Sequence, residues 1–359
     1  MLFSNRNEPF SVTAHAHAKA ILTGEHAVIY GAKAVAVPLS SLVLNVTISG
    51  GSSSSKERPI SFKFHTQDTI PTASHFLPQE DLESLLTNVL IDALKLEDID
   101  YNSLFPLVID INTNIPIGAG LGSSAALSVA FVRACKQLAN KSLKTEDVAS
   151  HAMLLERHFH GNPSGLDTTV ITNEAPLLFE KGAAPMPLPL SMITDISPKR
   201  VDSNSKALWH FVLIDSNTRA STKTMIECTK SKLTGPEGAH FRSRCNDLSE
   251  LAVKALTCGD QTSLGKVLND SKTFLEDLNV VTDVLRDLCD FLNHLKVLGS
   301  KPTGAGGGGF VLSLLDPANF RSCLEELKTE FGANRIFPFY LDGPLTVGRN
   351  IFAAIKSEE

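Results

Sequence analysis

The sequence predicts an α+β protein of two domains, and three observations carry that expectation. Its 359 residues suit two domains of ordinary size. Short apolar runs with strand-like alternation fill much of the first third, whereas amphipathic helical periodicity dominates beyond about residue 205. Hydrophobic residues make up 43% and charged residues 20%, a balance that can bury substantial cores.

The elements follow in order. Residues 14–22 and 34–48, rich in Ala, Val, Ile and Leu, read as strands, and 50–59 (GGSSSSKERP) as a polar turn-forming loop. Leu82, Leu85, Leu86, Val89 and Leu90 recur at helical spacing and predict a helix over about 80–95. Leu107, Ile109 and Ile111 alternate with Asp110 and Asn112, which predicts a strand over 105–112. A glycine-rich turn at 116–124 opens an alanine-rich helix to about 139. Thr145, with Glu146 and Asp147 behind it, reads as the N-cap of a helix reaching about Phe159. Pro185, Pro187 and Pro189 exclude helix and central strand from 183–190. A strand at 208–214, helices near 238–258, 262–277 and 283–298, a glycine run at 304–309, an apolar strand at 310–315, a helix at 317–331 and a last pair of strands complete the chain. The change in character places the boundary near 195–210 and gives domains 1–203 and 204–359.

Charge and composition exclude several classes of function. A formal charge of −6 and the absence of Lys/Arg-rich runs leave no electrostatic footprint for nucleic acid or an anionic membrane. No run of ~18 apolar residues exists to span a bilayer, and the first residues lack a signal-peptide pattern. The six cysteines are scattered without a CxxC pair and read as free thiols. No His/Cys cluster has metal-ligand spacing, and His15 and His17 read as scaffold histidines. A soluble cytoplasmic protein is expected.

Four segments carry chemistry. In PIGAGLGSSAA (116–126), Gly118, Gly120 and Gly122 let backbone N–H groups approach a ligand, and Ser123 and Ser124 open a helix whose free N–H groups attract phosphate. The spacing fits neither the Rossmann fingerprint nor a Walker A loop, so this is a phosphate loop of another kind. Glu156 projects from the small, apolar helix face of Ala149, Ala152 and Met153, where a carboxylate needs a partner such as a divalent cation or Arg157. In HGNPSGLD (160–167), Pro163 and Gly165 place Asp167 on a rigid turn, suited either to facing an acceptor hydroxyl or to closing an Asx-turn. Lys19 alternates with Ala14, Ala16, Ala18 and Ala20; it is either a solvated lysine on a strand face or a cation beside a reacting centre. Finally, KPTGAGGGGF (301–310) has more glycine than stability favours and predicts backbone packed against a ligand or another loop.

With GEHAVIYG (24–31), these segments fall in the order and approximate spacing of the GHMP kinases, and the chain resembles that superfamily over nearly its whole length. Within it, Ala27-Val28-Ile29-Tyr30-Gly31 after Glu25-His26, and a glutamate eleven residues before Asp167, are similar to the mevalonate kinases. The resemblance implies an N-terminal nucleotide domain like domain 2 of ribosomal protein S5. It also implies a C-terminal ferredoxin-like α/β sandwich, with the active site in the cleft between the two. It implies ATP and mevalonate as substrates, Mg²⁺ as cofactor, and a homodimer. Asp167 would be the catalytic base, with Lys19 beside it. Gly118, Ala119, Gly120, Leu121, Gly122, Ser123 and Ser124 would wrap the ATP phosphates, Ser124 and Glu156 would bind Mg²⁺, and Glu25, His26, Thr222 and Gly306 would meet the acceptor. One departure stands out: Ala16-His17-Ala18 precedes Lys19 where Pro-Gly is usual. The alternatives are a phosphomevalonate or sugar kinase of the same superfamily, or an ATP-binding sensor without turnover.

Overall fold

The computed structural model describes residues 9–50, 60–66, 79–100, 104, 106–161, 163–192 and 208–343. Of the polar loop expected at 50–59, Gly50 instead ends a strand, and the rest lies outside them, as do most of the boundary region and any strand after 343.

Among the described residues, six strands form the first sheet. These are β1 (Phe10–Thr23), β2 (Ala34–Gly50), β3 (Ile60–Thr66), β4 (Leu107–Thr113), β5 (Leu177–Phe179) and β6 (Met186–Pro187). The order is β3-β4-β2-β5-β6, with β1 paired antiparallel to β2. The 17-residue β2 is the spine, because it pairs with β1, β4 and β5. The proline run contributes only the two-residue β6, which pairs with β5 at the end of the sheet order, where a missing N–H is tolerated. Against this sheet lie α2 (Ser123–Leu138) and α4 (Leu166–Asn173), and α1 (Gln79–Leu96) and α3 (Thr145–Glu156) pack on α2. Ala14, Ala16, Ala18 and Ala20 are all buried, so small side chains let α2 approach β1 closely.

A second sheet has the order β7-β11-β8-β10-β9, every neighbouring pair antiparallel. Its strands are β7 (Ser191–Met192), β8 (Leu208–Asp215), β9 (Gly299–Thr303), β10 (Phe310–Leu315) and β11 (Ile336–Asp342). The helices of this half are α5 (Thr222–Thr234), α6 (Gly238–Cys258), α7 (Gln261–Asp277), α8 (Asp283–His294) and α9 (Phe320–Phe331). The six cysteines are free, and no helix among the described residues is long and apolar enough to cross a membrane.

Several expectations need correction. Thr145 is the first residue of α3 rather than its cap; Lys144 holds the cap position, and α3 ends at Glu156, three residues short of Phe159. Asp167 is not on an irregular turn but in the first turn of α4, after Gly165 in the left-handed region. The helix expected to 298 stops at His294, and β9 follows it.

The two halves meet through the end of β1. The Ile21 N–H donates to Thr303 Oγ1 (3.1 Å), and the Thr303 hydroxyl donates to Ile21 O (3.1 Å). Lys301, with no exposed surface, donates to Ile21 O at 3.2 Å and forms an ion pair with buried Glu25. Removing one member of a buried pair strands the other's charge, which costs about 3–5 kcal/mol. We therefore expect Lys301→Met to lower stability by about that amount in urea denaturation. Adding Glu25→Gln should restore much of the loss, because no charge is then left unpaired.

Candidate active site

The sequence dictates the floor of the site. Gly118, Gly120 and Gly122 all have positive φ, and Gly122 is the N-cap residue of α2 with no side-chain capping bond. The first N–H groups of α2 are therefore not held by a capping side chain, and Gly118, Gly120, Gly122, Ser123 and Ser124 line a cavity of about 760 Å³. A side chain at Gly120 or Gly304 has no room: a Cβ on Gly304 would lie 2.8 Å from the Gly120 Cα. The two glycine runs thus pack backbone to backbone, as the second run's composition predicts.

Lys19 comes up from β1 beneath this turn and is almost fully buried. Its Nζ donates to Gly120 O at 3.1 Å and pairs with Asp167 Oδ1 at 3.1 Å, while its backbone N–H donates to Leu121 O at 3.0 Å. The solvated-lysine reading is thereby excluded. Asp167 keeps 35% of its side-chain surface exposed and lines the cavity.

Glu156 also lines the cavity, 3% exposed. Its Oε2 accepts from Ser124 Oγ and its Oε1 from Ser128 Oγ, both at 3.3 Å. Burial, and then the negative charge of Asp167, push its carboxyl up to about 8, against the pull of the two hydroxyls and Lys19. His160 Nε2 lies 3.3 Å from Ser124 Oγ, and burial lowers its pKa against the pull of Asp167. Hydroxyl and carboxylate oxygens beside an uncapped helix start are the donor set a hard divalent cation takes, so Ser124 and Glu156 fit Mg²⁺.

The remaining expected residues divide. Glu25, His26 and Thr222 line the same cavity. Glu25 is held by Lys301, and His26 by Ala305 O at 2.9 Å from Nε2 and by Thr229 Oγ1 at 3.3 Å from Nδ1. Gly306 is packed on Val280 and lines a small cleft behind, with Thr222 and Ala305 shared between the two, whereas Gly304 faces the main cavity. Ala119 and Leu121 are buried in the turn rather than turned to the cavity. Sequence reasoning missed Ser128, Thr229 and Lys301. Ser128 lies four residues beyond Ser124 on the same face of α2, a spacing that could have pointed to it.

A glycine-rich turn at a helix start, a buried carboxylate and a Lys–Asp pair thus line one cavity. Family patterns agree: "GHMP kinases N terminal domain" matches residues 88–173 and "GHMP kinases C terminal" matches 252–334. The chain is 30% identical over 308 residues to the mevalonate kinase of Thermococcus gammatolerans, covering 84% of this chain and 89% of that protein. A crystal structure of mevalonate kinase from methicillin-resistant Staphylococcus aureus matches with TM-score 0.65 at 27% identity, over 91% of this chain and 98% of that one. The L. major mevalonate kinase structure in complex with R-mevalonate matches with TM-score 0.70 at 20% identity, over 95% and 98% of the two chains. The chain belongs to the GHMP kinases.

His26 gives a pH prediction. Burial, partly offset by its bond to Ala305 O and reinforced by Lys301, lowers its pKa to about 4. Between that value and the ordinary imidazole range the unfolded chain binds a proton that the folded one does not, so stability falls as pH falls through this window. His26→Asn, a residue that tolerates the φ of 61° found here, should remove this contribution, on the order of 2–3 kcal/mol. Paired denaturation curves of the two proteins across that window measure it as a difference in slope.

Proposed function

We propose that this chain is a mevalonate kinase, transferring the γ-phosphoryl group of ATP to the C5 hydroxyl of mevalonate. The observation that carries it is the Lys19–Asp167 pair facing one cavity with Ser124, Glu156 and the start of α2. The relatives' activity and the GEHAVIYG segment support the choice of acceptor. Among the described residues lining the cavity, Lys19 is the one Lys or Arg, and it is already paired with Asp167. An acceptor that already carries a phosphate therefore finds no spare cation among them.

In this reading the loop 118–124 holds the phosphates by backbone N–H groups, and Ser124 and Glu156 hold Mg²⁺. Bound there, the ion offsets the negative charge of the ATP phosphates. Asp167, oriented by its ion pair with Lys19, accepts the hydroxyl proton while the alcohol oxygen forms its bond to the γ-phosphorus and the bond to the ADP oxygen breaks. Lys19 steadies the negative charge on the attacking oxygen. Glu25, His26 and Thr222 shape the acceptor side; Gly306 acts only through the packing of its loop. The nucleotide domain would end near residue 203, and a cytoplasmic homodimer follows the resemblance.

A coupled ADP-release assay on mevalonate, 5-phosphomevalonate, galactose and homoserine tests the proposal. Turnover confined to mevalonate is expected; preference for another acceptor reassigns the substrate, and no turnover on any of the four refutes the kinase. Asp167→Asn should leave ATP binding nearly intact and lower kcat at least ~100-fold, the lower range of general-base assistance. Glu156→Gln should raise the Mg²⁺ concentration needed for half-maximal rate, read from a titration at saturating ATP.

A further inference from the structure

The contact between β1 and α4 carries Lys19 and Asp167 at one end, and beyond it a second cluster. One imidazole nitrogen from each of His15 and His17 and a carboxylate oxygen of Glu174 all lie within 4.8 Å of one another. His15 and His17 are two residues apart on β1, the spacing that puts side chains on one face of a strand. Glu174 closes α4 as its C-cap, in the left-handed conformation.

Two further features separate this cluster from an ordinary solvated surface. Nδ1 of His17 is buried and has no hydrogen-bond partner among the described residues, a condition rare in native proteins that water or an ion usually relieves. Burial lowers the pKa of His17; Glu174 opposes this, and His15 and Arg133 add to it, which favours the neutral, ligating form. Arg133 meanwhile donates to Glu174 Oε1 at 2.8 Å, to His15 O at 2.8 Å and to Thr172 O at 3.3 Å. It orients the carboxylate as outer-shell partners orient metal ligands, and occupies only one of its two oxygens.

We propose that His15, His17 and Glu174 form a binding site for a transition metal of the zinc class, separate from the Mg²⁺ position, that clamps β1 to the end of α4. Two imidazoles and a carboxylate suit Zn²⁺, Co²⁺ or Ni²⁺ better than Mg²⁺, and three protein ligands leave a further position for water. Metal–ligand bonds of about 2.0–2.2 Å are what such a site would form. The site depends on this chain's own residues: His17 and Ala18 stand where Pro-Gly is usual in the resembled family.

Co²⁺ titration followed by visible absorption tests this directly. The full chain is used with exposed Cys228 and Cys258 changed to serine, in excess Mg²⁺. One equivalent of Co²⁺ should bind, and His17→Ala and Glu174→Gln should each weaken it at least about tenfold, since even outer-shell changes cost that much. His160→Ala, at the Mg²⁺ position, should leave it unchanged. Zn²⁺ should raise the Tm of the parent and not of the two site variants. Circular dichroism checks each fold; if His17→Ala does not fold, Glu174→Gln alone decides. No binding, binding indifferent to the site variants, or binding lost with His160 overturns the proposal.

Discussion

The active-site architecture depends on burying the ammonium of Lys19. A cation with so little exposed surface must be met by opposite charge and by carbonyl oxygens, and Asp167 and Gly120 O supply both. That single requirement ties three separate pieces of chain to β1: the glycine turn, the start of α4 and, through the turn, the start of α2. It also explains the glycine at 122, where a Cβ would sit 3.1 Å from two carbons of the Lys19 side chain. The lysine and the glycine-rich turn are thus one structural unit.

The same crowding separates the two carboxylates chemically. Asp167 is partly exposed and faces Lys19, whereas burial, and then the negative charge of Asp167, push Glu156 up to about 8. In the proposed reading such unlike environments divide the labour, Asp167 facing the acceptor and Glu156 the cation. The hydroxyls of Ser124 and Ser128 point at Glu156 and keep it oriented for that event.

Much of this was legible in the sequence because it rests on residues with few alternative uses. Glycine runs, a carboxylate on an apolar helix face and alternating alanines each have a narrow physical reading, and the structure brings Lys19, Ser124, Glu156 and Asp167 to one cavity. What escaped was local structure imposed by tertiary packing. The segment LDTTVITN of α4 is rich in β-branched residues that disfavour helix, yet Val170 and Ile171 are fully buried and hold it. GSKPT of β9 has no strand signature, but every residue in it is buried between neighbours. Nothing in the linear sequence pairs Lys301 on that strand with Glu25, which lies 276 residues away. Glu174 joins His15 and His17 only because α4 brings it back beside β1, which no linear spacing encodes.

These overlooked pieces determine how rigid the cleft is. β9 leans on the last turn of β1 through Thr303 and Lys301, and His26 reaches across to the carbonyl of Ala305. The glycine runs touch at their backbones, with no side chain between them to yield. A hinge at the cleft floor would have to break a buried ion pair and several hydrogen bonds together, which opposes hinging there. Phosphoryl transfer rewards that arrangement, because positioning and charge stabilisation supply most of the catalysis and lose their effect when donors must reorganise at the moment of reaction.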